Sequence, residues 1–347
     1  MGNNTLATRI VILTDTYDQV NGVSRTYKSI EALAPDRFII IHPSLFKWIP
    51  MPFYSESQLC IQPWKVWNSL KKIQPCQLHL ATEGVLGWVG KAYCKFNGIP
   101  YTSAYHSKFP DLLYQLLFMP KCITRFALKL FHGKSTVVLV PTESVRNELL
   151  SEGYSSPMQV WTRGVDETLL SSNPNSQLRP SKLRLLSVGR ISKEKNLEEL
   201  CELSSDYEIT IVGDGPHLYN LKSTYPQVNF LGYRFGKDLA ELYKSHDVFV
   251  FTSRNDTFGI VLIEALANGL PVAAHDVTGP KDIIINGFNG ILGESIRESV
   301  EMAALLNRDQ IQSQARSTWS WMEALRIMEM TLKQNYSEVA NARNRLG

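Results

Sequence analysis

Residues 183–216 read LRLLSVGRISKEKNLEELCELSSDYEITIVGDGP. A short apolar run over 183–188 ends in Gly189, a stretch of helical periodicity follows, and a second β-branched run over 208–212 ends in Gly213. Two buried strands joined by a helical crossover make a parallel βαβ unit, because antiparallel neighbours need only a tight turn. The same alternation continues in both directions. Further apolar runs stand at 228–230, 248–251 and 272–274 on one side, and at 10–14, 38–41, 77–81, 101–105, 137–140 and 159–161 on the other. This is an α/β chain, with helices covering both faces of parallel sheets. Two such series exceed what one open sheet usually holds, so the expected architecture is two doubly wound, Rossmann-like domains facing a cleft.

The segment SSNPNSQLRPS at 171–181 is polar and rich in turn formers, and is the expected boundary. It divides the 347 residues into an N-terminal domain (1–170), a C-terminal domain (171–318) and a last helix (319–347) expected to pack back on the first domain. Trp321, Leu325, Met328 and Leu332 give that helix one apolar face.

Composition narrows the function classes. With 36 basic and 33 acidic side chains the net charge is only +3, which argues against a nucleic-acid binder. Residues 1–170 hold 17 Lys/Arg against 12 Asp/Glu, and residues 171–347 hold 19 against 21, so an anionic surface should meet the first domain. The five cysteines are scattered, without CxxC or zinc-finger spacing, as in a reduced cytosolic protein. The opening MGNNTLATRI lacks the apolar core of a secretory signal, and Leu6 stands where N-myristoylation needs Ser or Thr. No apolar run reaches the roughly 18 residues of a membrane span. A cytoplasmic protein, soluble or peripheral on the inner face of a membrane, is expected.

Ligands of open α/β sheets bind beyond the carboxyl ends of strands, and four loops there hold chemistry-bearing residues. After the first strand, Asn21-Gly22 precedes a helix expected to begin near Ser24; Gly22 would let backbone approach a phosphate at that helix N-terminus, or the pair is a plain turn with Ser24 as cap. After 183–188, Arg190 and Lys195 flank a strand-to-helix turn, where both cations could reach one diphosphate or simply be solvated. After 248–251, Asp256 and Glu264 are eight residues apart on one presumed helix face; Glu264, flanked by Ile263 and Ala265, needs a hydrogen-bonding partner such as a ribose diol, unless Asp256 only caps the helix and Glu264 pairs with a base. Finally, His106 ends the strand at 101–105 and is either structural or catalytic.

Taken together, TDTYDQVNGVSRT (14–26), ATEGVLG (81–87), YTSAYHSKFPDLL (101–113), WTRGVDETLL (161–170), VGRISKEKNL (188–197), IVGDGP (211–216), FLGYRFGKDLAELY (230–243) and DTFGIVLIEALANGLPVAAHDVTGP (256–280) resemble the retaining, GT-B-fold glycosyltransferases of family 4 over nearly the whole chain. The branch is similar to bacterial mannosyltransferases that use GDP-mannose, with lipid sulfoquinovosyltransferases as relatives. The resemblance implies that Arg190 and Lys195 hold the donor diphosphate, that Gly22 approaches it, and that Gly213 lines the nucleotide pocket. It further implies Glu264 on the ribose, backbone amides of Phe258, Gly259 and Ile260 on sugar and phosphate, and His106 near the sugar. Where the family's Glu-x7-Glu motif begins with glutamate this chain has Asp256, which leaves the donor sugar open. Glu83 would face the acceptor, or cap the following helix.

By the same resemblance the enzyme moves a hexose, with mannose as first choice, from a nucleotide-diphosphate sugar to a lipid or glycan acceptor. It does so with retention and without a metal or other cofactor, the departing phosphate taking the acceptor proton. Alternatives are a UDP-sugar donor with a soluble acceptor, or a catalytically silent nucleotide-sugar sensor, which need not keep His106. A dinucleotide-dependent dehydrogenase would want GxGxxG after its first strand, which is missing. In 108–134, Lys121, Arg125 and Lys129 form a basic stripe beside Ile123, Phe126, Leu130 and Phe131, suited to an anionic membrane or to a solvated helix face.

Overall fold

The computed structural model describes residues 9–51, 54–170 and 182–344. The expected boundary at 171–181, the first eight residues and the end of the last helix lie outside them. The chain forms two compact units, Met1–Thr162 with Met322–Gly347, and Arg163–Trp321.

In the first unit, strands β1 (Ile10–Leu13), β2 (Phe38–Ile41), β5 (Leu78–Leu80), β6 (Tyr101–Ala104), β7 (Val138–Val140) and β8 (Met158–Val160) make a parallel sheet in the order β2-β1-β5-β6-β7-β8. Helices α1 (Gly22–Leu33), α2 (Pro63–Ile73), α3 (Val85–Asn97), α4 (Phe109–Leu117), α5 (Lys121–His132) and α6 (Glu143–Ser151) connect them. Alternation of side chains along each strand feeds two layers: Val11, Leu13, Leu78 and Leu80 pack with Leu86 and Phe131. Ile12 and His79, next in register, point to the other face.

In the second unit, β9 (Arg184–Val188), β10 (Glu208–Val212), β11 (Asn229–Phe230), β12 (Val248–Phe251), β13 (Val272–Ala274) and β14 (Gly290–Leu292) form a parallel sheet ordered β11-β10-β9-β12-β13-β14. Its helices are α7 (Leu197–Cys201), α8 (Leu218–Thr224), α9 (Gly236–Ser245), α10 (Ile260–Ala267), α11 (Pro280–Ile283), α12 (Ile296–Ala303) and α13 (Arg308–Thr318). Leu186, Val212 and Phe249 join one core layer with Leu262 and Ile311, while Leu185, Ile209, Ile211, Val248 and Val250 join the opposite one with Leu200 and Val300. Helix α10, IVLIEALA, is apolar on every side but for Glu264 and is buried from Leu262 to Ala267. The carbonyls at its end are satisfied from α13, where Arg316 Nε donates to Ala267 O at 2.9 Å and Arg308 Nε to Gly269 O at 2.9 Å.

Helix α14 (Trp321–Asn344) returns the chain to the first unit, as expected of the last helix. Trp161 Nε1 donates to Ala324 O at 2.8 Å, and Met328 and Leu332 are buried. Two features escaped the sequence. Strands β3 (Trp48–Met51) and β4 (Tyr54–Cys60) form an antiparallel hairpin, whose Pro50 is tolerated because β3 is an edge strand. Strand β14 is three residues opened by a glycine. The 108–134 segment forms two helices separated around Phe118 (φ +53°) and Pro120, and Lys121, Arg125 and Lys129 all lie on the second, α5.

Candidate active site

The strand order of the second unit reverses between β9 and β12, and a switch point of this kind opens a crevice at the carboxyl ends of the two strands. The loops leaving those strands are stitched together. Thr252 Oγ1 donates to Lys195 O at 2.7 Å, and Ser253 Oγ to Glu194 O at 3.4 Å. Across this seam Lys195 Nζ meets both Asp256 carboxylate oxygens at 2.7 and 2.8 Å. Burial alone would raise the Asp256 carboxyl, but the Lys195 ammonium and the Ser253 hydroxyl outweigh it and hold the group below the usual carboxylate range. Arg190, half-buried, stands two residues beyond the end of β9, in the loop that leads to Lys195.

Helix α10 begins at Ile260 behind Gly259, whose φ of +88° suits glycine. Asp256 therefore lies in the loop ahead of the helix, not on its face with Glu264 as the spacing implied. The first N–H groups of α10 lack helical partners by construction; they belong to Gly259, Ile260 and Val261, whereas Phe258 lies ahead of the cap. The Phe258 side chain is core, edge-on to Trp319 at 5.8 Å with the Arg163 guanidinium 5.9 Å from its centroid. Glu264 is 1% exposed, and the Tyr243 hydroxyl of α9 donates to its Oε2 at 2.8 Å. The partner that a buried carboxylate demands is thus supplied in part by the protein itself. Gly213 has an independent steric reason to be glycine: a Cβ there would lie 1.8 Å from Gly189 O. At the end of β13 the sequence reading missed His275, whose Nε2 lies 3.0 Å from Glu199 Oε2 and 3.1 Å from Arg254 Nη2.

In the first unit, α1 starts at Gly22 and its cap is Asn21, whose Oδ1 accepts from Ser24 N at 2.8 Å. Ser24, expected to begin that helix or to cap it, is its third residue. Gly22 is exposed at the helix N-terminus. Helix α3 is capped by Asp15 rather than by Glu83: Leu86 N donates to Asp15 Oδ1 at 3.0 Å, and Thr82 Oγ1 to Oδ2 at 2.8 Å. Burial pushes the Asp15 carboxyl up to about 6 against the pull of these donors. Glu83 turns instead to the buried His132, 3.2 Å from its Nε2. His106 follows β6 as expected, half-buried, with the Tyr27 hydroxyl 3.1 Å from its Nε2.

The basic stripe is largely committed within the unit. Lys121 pairs with Asp111 at 2.6 Å, Arg125 with Glu152 at 3.0 Å, and Lys129 Nζ sits 5.8 Å over the Tyr154 ring. Phe131 is wholly buried, whereas Ile123, Phe126 and Leu130 face outward. Among the described residues no cluster of three or more His, Cys, Asp or Glu could hold a metal, and no helix is long and apolar enough to cross a membrane.

Two family models match successive parts of the chain: Glycosyltransferase Family 4 over residues 13–169 and Glycosyl transferases group 1 over residues 172–315. A GDP-mannose-dependent alpha-mannosyltransferase of Mycobacterium tuberculosis is 30% identical over 82% of this chain and 83% of its own length. The sulfoquinovosyl transferase SQD2 of Arabidopsis thaliana is 29% identical over 70% of this chain and 51% of its own. Among solved structures, sucrose-phosphate synthase from Thermosynechococcus elongatus superposes with a TM-score of 0.76 at 18% identity, over 95% of this chain and 100% of that one, which speaks for the fold. With two Rossmann-like units in the topology described, the chain belongs to the GT-B glycosyltransferases of the family 4 and group 1 type.

Proposed function

We propose that this glycosyltransferase moves a mannosyl residue from GDP-mannose to a lipid or glycan acceptor with retention of configuration. The observation that carries the reading is the Lys195–Asp256 pair at the switch point of the second sheet, a cation suited to a diphosphate beside an acid suited to sugar hydroxyls. GDP-mannose as donor is supported by the relative that is 30% identical and is named for it. Arg190 and Lys195 neutralise the charge that grows on the departing diphosphate, which lowers the barrier where a divalent ion would otherwise be needed. The leaving phosphate takes the acceptor proton, so no separate base is required. Gly22, Gly213 and the amides of Phe258, Gly259 and Ile260 contribute close backbone approach and donors, Glu264 reads the ribose beside its Tyr243 bond, and His106 addresses the sugar.

A lipid acceptor at the cytoplasmic face of a membrane is the matching setting. Its support is the exposed apolar row Ile123, Phe126 and Leu130 of α5. Titration of the protein with GDP, UDP, GDP-mannose and UDP-glucose, followed by heat capacity or thermal unfolding, tests the donor. A ligand at about 100 times its dissociation constant adds about 2.7 kcal/mol of stability. Stabilisation by UDP-glucose and not by GDP-mannose would overturn the donor assignment, and loss of transfer on chelation would overturn the metal-free mechanism.

A further inference from the structure

Behind His106 runs a buried polar chain that the reaction as described does not use. His79 of β5 and Thr102 of β6 stand opposite each other in register, with Thr102 Oγ1 2.9 Å from His79 Nδ1. His79 Nε2 lies 2.8 Å from the Tyr27 hydroxyl of α1, and that same hydroxyl lies 3.1 Å from His106 Nε2. Tyr27 and His79 are fully buried and Thr102 is 1% exposed. The Trp161 indole packs on Tyr27, His79 and His106 at 5.9, 6.5 and 6.2 Å between centroids. An imidazole in a sheet interior is costly unless both nitrogens are satisfied, and here they are. Burial pushes His79 down to about 3, so it stays neutral, with one nitrogen donating and the other accepting.

We propose that Tyr27 and His79 are positioning residues of the transfer reaction, which couple the tautomer of His106 to that of His79 through the single proton of the Tyr27 hydroxyl. This rests on the assignment of His106 to the sugar. One hydroxyl proton can be donated to only one of two imidazoles. Donated to His106 Nε2, it leaves the Tyr27 oxygen to accept from His79 Nε2–H, the Thr102 hydroxyl donates to His79 Nδ1, and neutral His106 carries its proton on Nδ1. Donated to His79 Nε2, it reverses every bond: His79 Nδ1–H donates to Thr102 and His106 donates through Nε2–H. Either way the two neutral rings hold opposite tautomers. Whether His106 Nδ1 offers substrate a proton or a lone pair is then set at Thr102, two side chains away. A ring in the wrong tautomer loses turnover rather than donor affinity.

Two-bond proton–nitrogen correlation spectra of the full chain with labelled histidine, at about pH 8 where an ordinary imidazole is neutral, read both tautomers directly. The expected result is opposite tautomers on His79 and His106. In Tyr27→Phe the His106 nitrogens move toward the averaged pattern of free imidazole, and kcat falls about tenfold while KM for the donor changes less than about twofold. Thr102→Val moves the same signals the same way, and Thr102→Ser restores them. Matching tautomers in the wild type, or His106 signals unmoved in both Tyr27→Phe and Thr102→Val, overturn the proposal. Should Tyr27→Phe fail to fold, the Thr102 pair decides. Full turnover in His106→Ala removes the catalytic assignment of His106 and with it the positioning role, while the spectra still decide the coupling separately.

Discussion

The Lys195 ammonium and the Asp256 carboxylate satisfy each other across the β9/β12 switch point, at 2.7 and 2.8 Å. A diphosphate that recruits Lys195 must therefore share it with an anion already in place. Replacing Asp256 by Asn frees the ammonium, so binding of GDP alone should tighten by about threefold to tenfold, although transfer falls because the sugar hydroxyls lose their acceptor. Lys195→Ala should do the reverse and weaken GDP binding by about one to two orders of magnitude, the worth of a charge-assisted contact of about 1.5–3 kcal/mol. Calorimetric titration of GDP into both variants checks the signs. Weaker GDP binding in Asp256→Asn would show that the pair pre-organises Lys195 rather than competing for it.

Glu264 serves two partners on this reading, the Tyr243 hydroxyl and the ribose. Tyr243→Phe removes a bond to a buried carboxylate and should cost about 1–3 kcal/mol in urea unfolding, with little change in GDP affinity. Glu264→Gln should instead erase the preference for GDP over its 2′,3′-dideoxy analogue. An unchanged preference in that variant would confine Glu264 to its structural bond with Tyr243.

The parallel strands other than β14 were legible because short β-branched runs are a local signal, and the loops after β9 and β6 were legible as the places where Arg190, Lys195 and His106 stand. What escaped is non-local. The cap of α3 comes from Asp15, 71 residues before the Leu86 amide it accepts from, and the partner of Glu264 from Tyr243 on another helix. His79 sits in a strand, LHL, that reads as plain core, and its meaning appears only when α1 lays Tyr27 against it. The cap of α1 was expected at Ser24, but the helix starts two residues earlier and Asn21, extended at φ −150°, accepts from Ser24 N instead.

Asp15 predicts a pH dependence of stability. Its carboxyl is raised by burial from 3.8 to about 6 in the folded chain. Between those values the unfolded chain has lost the proton while the folded chain keeps it, so this group favours the folded state most at low pH, and its contribution is lost as pH rises to about 6. Asp15→Asn keeps an oxygen for the Leu86 amide without the titration. The difference in unfolding free energy between wild type and variant should therefore shift in the variant's favour from pH 4 to about 6 and be flat above. A flat difference across the whole range would mean that the hydrogen bonds from Leu86 and Thr82 cancel the burial.

The ion pairs of α5 change what a membrane-docking experiment should find. Were the stripe free, removing three cations near an anionic surface would cost about 1 kcal/mol each. Lys121 and Arg125 are instead engaged with Asp111 and Glu152, and a cation beside a carboxylate contributes little net charge to a surface beyond the Debye length. The outward residues are apolar: Phe126 is 65% exposed, with Ile123 and Leu130 beside it on the same helix face. Vesicle binding should therefore depend on these side chains. Phe126→Glu should weaken co-sedimentation with anionic vesicles by about tenfold or more, since a buried aromatic is worth about 1.5–3 kcal/mol. Lys121→Ala with Arg125→Ala should weaken it less, and donor affinity should be untouched in both, because the substituted residues lie on α5 of the first unit and Arg190, Lys195 and Glu264 in the second. If the double alanine variant loses more binding than Phe126→Glu, the docking is electrostatic and the ion pairs open at the surface. If the wild type ignores vesicles at low salt, the apolar row meets something other than lipid and the acceptor is better sought among soluble glycans.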